Sequence, residues 1–115
     1  VTALNQRQPK LCAQVFDCMQ QIVNDAVAHL QHGDLVALGD LMNVNHGLLS
    51  ALGVVSDQNE QMVALARRAG ALGAKVTGAG FGGAMIALAP GRTAQVHQAL
   101  ESHGFTALVN QVGNH

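Results

Sequence analysis

The stretch KVTGAGFGGAMIAL, residues 75–88, sets the strongest limit on how this chain can fold. Four glycines (Gly78, Gly80, Gly82 and Gly83) fall between two apolar runs that are too short for stable helices. Glycine admits positive φ and close backbone approach, at an entropic cost on folding. Such a density therefore belongs to a turn or to a contact with another group. Residues 74–77 and 84–89 are expected to form two strands with the glycine loop between them, and Pro90-Gly91 closes the second.

Everything before Gly73 has a different period. From Leu11 the apolar residues recur at 11, 12, 15, 16, 19, 22, 23, 26, 27 and 30, a helical stripe that ends at Gly33. Asp34 is placed to cap a second helix carrying Leu35, Leu38, Leu41, Met42, Leu48, Leu49 and Leu52, broken by the polar Asn45 and stopped by Gly53. Ser56 and Asp57 offer caps for a third, with Glu60 three residues after Asp57 as in a capping box, and Gly70 ends it. Beyond the second strand, residues 92–103 read as a fourth helix and Phe105 to Val112 as a last strand. The order predicts one α+β domain over residues 1–115: three helices, then strand, loop, strand, helix, strand, with a small antiparallel sheet backed by helices.

Composition narrows the function classes. A chain of 115 residues suits one domain with a sizeable core. Only 11% of its residues are charged, the formal net charge is −1, and Trp and Tyr are absent. It therefore lacks both the basic patch and the stacking platforms that nucleic acid requires. No apolar run reaches the roughly 20 residues needed to span a bilayer, and no signal-peptide layout opens the chain, so a cytoplasmic location is expected. Cys12 and Cys18 sit about 120° apart on one helix, out of disulfide reach, and are expected to be two buried thiols. His29 and His32 precede Gly33, where a helix C-terminus favours them as caps over metal ligands.

The glycine loop half matches two nucleotide motifs. Gly78, Gly80 and Gly83 spell GxGxxG, but AMIALAP continues as a strand where the dinucleotide fingerprint needs a helix to open. Gly78 to Gly83 also begins a P-loop, yet Ala84-Met85 stands where Lys and Ser/Thr belong. Spacing alone leaves two readings. One is a tight hairpin without a ligand; the other is an anion-binding nest of unhindered N–H groups.

KVTGAGFGGAMIALAP resembles the third signature of the GHMP kinases, with the Lys75-x-Thr77-Gly78-Ala79-Gly80 core matched without a gap. Within that family, LMNVNHGLLSALGVVS (residues 41–56) is similar to the helix before the signature in the mevalonate kinases and less so to that in the galactokinases, although Phe81 in GAGFGG is a feature of the latter. The resemblance runs from about residue 4 to residue 112. It implies a ferredoxin-like C-terminal domain of an ATP- and Mg²⁺-dependent kinase acting on a small molecule. The family's main phosphate loop, PxxxGLGSSA, lies in an N-terminal domain with the catalytic Asp and Lys, and nothing like it occurs here. No catalytic residue is assigned, and the chain alone is expected to be inactive and to bind ATP weakly or not at all.

On the same resemblance, Thr77, Gly78, Ala79, Gly80, Phe81, Gly82 and Gly83 line the site near the transferred phosphoryl group. Asn45 and His46 are expected to face the substrate pocket or else to be hydrogen-bonded at the helix surface, and Lys75 to be a pocket group or an exposed strand end. Asp25, Asp34, Asp40 and Asp57 match no family position and are read as caps or solvated groups. The family's sheet has a strand before the first helix; without it, one edge keeps unpaired N–H and C=O groups. Together with an exposed apolar face towards the N-terminal domain, this predicts a homodimer or self-association. A galactokinase-like domain and a non-catalytic dimerisation module are the alternatives.

Overall fold

A computed structural model describes residues 6–77 and 84–107. Helix α1 spans Pro9–Gln31, with the proline in its first turn, where the missing N–H costs nothing. It ends at Gly33, whose φ of +71° lies in the left-handed region, so that Asp34 N–H can reach back to the His29 carbonyl. His32 Nδ1 bonds the Ala28 carbonyl at 2.7 Å, the C-terminal capping expected of it. Helix α2, Leu35–Ala51, starts where the Asp34 carboxylate accepts from Ala37 N–H. Helix α3, Asp57–Arg68, starts at Ser56, whose hydroxyl oxygen accepts from Asn59 N–H.

Strands β1 (Gly73–Val76) and β2 (Met85–Leu88) pair antiparallel, Gly73 opposite Leu88 and Val76 opposite Met85. Each lies within a residue of its expected bounds. Helix α4, Thr93–Ser102, follows. The period of two places Ala74, Val76, Met85 and Ala87 on one face of the sheet and Lys75 and Ile86 on the other. The first face closes the core, in which Val63, Leu65 and Ala66 of α3 meet Ala74 and then Val96 and Leu100 of α4. Helix α2 packs along β1, and α1 packs on α2.

One expectation changes, on α1. The apolar stripe of that helix is only partly core: Leu11, Phe16, Val23, Val27 and Leu30 are each about half exposed, because α2 covers only a narrow face holding Cys12 and Ile22. Cys18 lies outside that face and is exposed, so only Cys12 is a buried thiol. The last expected strand, 105–112, has no strand pairing over residues 105–107. There Ala107 is held by α4 side chains instead, its N–H donating to the Glu101 carboxylate at 2.8 Å and its carbonyl accepting from His97 Nε2 at 3.0 Å. Residues 108–112 lie outside the described residues, within which the sheet has two strands. Among the described residues, no helix is long and apolar enough to cross a membrane.

Candidate functional site

One stripe of α2, at Gly39, Asn43, His46 and Ser50, faces β1. At its start, helix and strand touch backbone to backbone. A Cβ built on Gly39 would lie 2.7 Å from the Leu72 carbonyl carbon and oxygen, and one built on Gly73 would lie 2.6 Å from the Gly39 Cα. Only glycine at both positions permits that approach.

The close approach brings the rest of the stripe within hydrogen-bond range. Asn43 acts as a substitute strand: its Nδ2 donates to the Leu72 carbonyl at 3.2 Å and its Oδ1 accepts from Ala74 N–H at 3.0 Å. One turn on, His46 Nδ1 accepts from Val76 N–H at 3.2 Å. From Gly39 to His46 the helix climbs about 10.5 Å, and from Gly73 to Val76 the strand covers about 10 Å. The two therefore stay in step. From α3, Arg67 donates to the Ala74 carbonyl at 3.0 Å, and Lys75 Nζ donates to the Val76 carbonyl at 2.8 Å. The outward backbone groups of β1 are all partnered, so the open sheet edge expected from the sequence is not found at β1.

Glu60 completes this support. It is not the capping-box partner of Asp57, because the helix starts one residue earlier, at Ser56. Its carboxylate accepts instead from His46 Nε2 at 2.7 Å and from the Ser50 hydroxyl at 2.5 Å. The Ser50 and His46 hydrogen bonds, in that order, hold its pKa below the ordinary carboxylate value, against a smaller opposing effect of burial.

Beyond Val76 the strand ends at a neck. Thr77 N–H and its hydroxyl both donate to the Ala84 carbonyl, at 3.0 and 3.1 Å. The sequence-designated residues Gly78, Ala79, Gly80, Phe81, Gly82 and Gly83 lie outside the described residues. Thr77 and Ala84 flank them in the sequence.

The remaining designated residues separate. Asn45 and Lys75 come together between α1 and α2, where two shallow cavities of about 280 and 340 Å³ share Val23, Asn45 and Lys75. Asn45 is 7% exposed and makes no side-chain hydrogen bond to the described residues. Lys75 is half-buried rather than an exposed strand end, and burial lowers the pKa of its ammonium. His46 lines neither cavity; both ring nitrogens are spent on Val76 and Glu60. Its hydrogen bonds run to the strand and to α3. Asn43, Ser50 and Arg67 were not singled out by the sequence, and Glu60 was read only as a capping residue. The available signal was the polar spacing of Asn43, His46 and Ser50, i, i+3, i+7, on an otherwise leucine-rich helix.

Comparison with known proteins places the chain in a family. The family model "GHMP kinases C terminal" matches residues 26–105. The chain is 40% identical over 112 residues to a mevalonate kinase of Pyrococcus abyssi, the alignment covering 93% of this chain and 33% of that enzyme. It is 41% identical over 112 residues to a mevalonate kinase of Pyrococcus horikoshii, with the same coverage. Among solved structures, mevalonate kinase of L. major in complex with R-mevalonate superposes with a TM-score of 0.80 at 37% identity, covering 88% of this chain and 32% of that one. Mevalonate kinase from methicillin-resistant Staphylococcus aureus gives a TM-score of 0.72 at 31% identity, over 84% of this chain and 33% of that one. The chain spans about a third of the length of the relatives it matches.

Proposed function

The chain belongs to the GHMP kinases and is a C-terminal domain of that family, and from that premise we propose that it forms one wall of a site transferring the γ-phosphoryl group of ATP to the primary alcohol of mevalonate. The likeness to a mevalonate kinase holding R-mevalonate, at a TM-score of 0.80 and 37% identity, is the observation that carries the reading.

Phosphoryl transfer depends on positioning and on stabilising charge spread over the phosphoryl oxygens. In this reading the backbone N–H groups of Gly78 to Gly83 donate to those oxygens, with Thr77 at the entrance to the loop. The Thr77–Ala84 neck fixes where both ends of the loop depart. Asn45 and Lys75, which line both cavities between α1 and α2, are the groups we assign to the substrate side. Among the described residues no three His, Cys, Asp or Glu side chains converge. The half-exposed stripe of α1 at Phe16, Val23, Val27 and Leu30 is the surface we assign to the other part of a kinase of the relatives' size. In the isolated chain the same stripe drives self-association.

The test is a hybrid in which this chain replaces the matching third of the Pyrococcus horikoshii enzyme. ADP release that depends on mevalonate, and not on galactose, is the expected result. Release with galactose alone would replace the reading by a sugar kinase, and release with neither would leave a binding or dimerisation module. The 115-residue chain by itself is expected to turn over nothing.

A further inference from the structure

The last backbone N–H of β1, that of Val76, is bonded to one imidazole. His46 is 3% exposed, so neither of its ring nitrogens has water as an alternative partner. Val76 N–H donates to Nδ1, which must therefore carry a lone pair. The proton then sits on Nε2, where it is donated to Glu60 Oε1 at 2.7 Å. Glu60 is held in turn from its other oxygen by the Ser50 hydroxyl. Three side chains from two helices thus converge on a single backbone N–H. Val76 is fully buried, and Thr77 after it pairs with Ala84.

We propose that His46, held by Glu60 in its Nε2–H tautomer, is the positioning residue that sets the departure point of the glycine loop from β1, and that it does so without touching substrate or nucleotide. The link to catalysis rests on the phosphoryl-facing reading of that loop; the hydrogen-bond relay itself does not. The site asks for an acceptor and a donor at fixed places on one rigid ring, which accounts for a buried histidine on a leucine-rich helix. Asparagine can return the acceptor near the Nδ1 position, whereas glutamine reaches the Nε2 position and returns only the contact with Glu60.

The first arm of the test uses the 115-residue chain. Two-bond ¹H–¹⁵N spectra of the wild type report which ring nitrogen of His46 carries the proton, and amide exchange reports the strand end. Expected are the Nε2–H tautomer, protected amides at Val76 and Thr77 in wild type and His46→Asn, and about tenfold faster exchange at both in His46→Gln. The Val63 and Ala66 amides in the core should not change. An Nδ1–H tautomer overturns the proposal without any variant having to fold, and so does equal protection at Val76 in both variants.

The second arm uses the hybrid kinase. There His46→Gln is expected to lower kcat by about 10- to 100-fold with KM for mevalonate within about twofold, and His46→Asn to restore most of kcat. Equal loss in both variants, or a change confined to KM, refutes the positioning role. A wild-type hybrid that is silent with every acceptor sinks the kinase reading instead, and the spectra still decide the relay.

Discussion

Placing alanine at Gly39 and at Gly47 of the same helix should have opposite effects on stability. An interior helical glycine costs about 0.8–1.0 kcal/mol relative to alanine, so substitution at an unhindered position recovers roughly that much. Gly47 is such a position, with nothing within 4 Å of a built Cβ. At Gly39 the new methyl would sit 2.7 Å from the Leu72 carbonyl and 2.8 Å from the Leu72 Cβ. The obstacle is mainly backbone already tied by Asn43, so it cannot turn aside as a flexible side chain would. Overpacking of this kind costs about 1–3 kcal/mol, and the upper part of that range applies because strand and helix must separate together.

After the helix-propensity gain, Gly39→Ala should destabilise by about 1–2 kcal/mol, leaving the two variants about 2–3 kcal/mol apart. For a chain of this size 1 kcal/mol shifts the melting temperature by about 4 °C, so the midpoints should differ by about 8–12 °C. Thermal unfolding followed by far-UV circular dichroism, with urea titration as a check on cooperativity, measures the difference. If Gly39→Ala rises in stability as Gly47→Ala does, the contact between α2 and β1 is wrong, and with it the registration of Asn43 and His46 on the strand.

Further expectations follow from the same contacts. Asn43→Leu leaves Leu72 C=O and Ala74 N–H without partners and should cost about 2–4 kcal/mol in urea unfolding. Because the pKa of Glu60 is lowered in the folded chain, its carboxylate adds stability that is complete above its ordinary value of 4.5 and is lost as pH falls through the lowered folded value. Glu60→Gln should therefore be less stable than wild type near pH 7, with the gap narrowing as pH falls below 4.5 and through the lowered folded value; a gap that does not change on acidification would contradict the assignment. Val27→Lys, on the exposed stripe of α1, should shift the chain towards monomer in light scattering while changing stability by less than about 0.5 kcal/mol.

Much of this fold is written in local signals. Asp34 and Gly33 mark the junction of α1 and α2 because a carboxylate caps and a left-handed residue terminates, effects carried within four residues. The two strands are legible from short apolar runs beside glycine. Tertiary effects are not legible in the same way. The period of α1 says which residues share a face, but not that α2 covers only the part around Cys12 and Ile22. Glu60 reads as a capping residue from sequence because its partners, Ser50 and His46, are 10 and 14 positions away on another helix. Asn45 and His46 are adjacent in sequence and were read together; the 100° step of a helix sends one towards the cavity and the other to the strand. Lys75 alternates away from the core on a strand, yet α1 and α2 enclose it.

The most direct measurement is a crystal structure of the hybrid kinase with a non-hydrolysable ATP analogue and mevalonate. The loop from Gly78 to Gly83 should place backbone N–H groups about 2.7–3.2 Å from oxygens of the γ-phosphoryl mimic, with His46 still bonded to Val76 and clear of both ligands. A loop separated from the phosphoryl group by bulk solvent, or a His46 turned onto a ligand, would contradict the account.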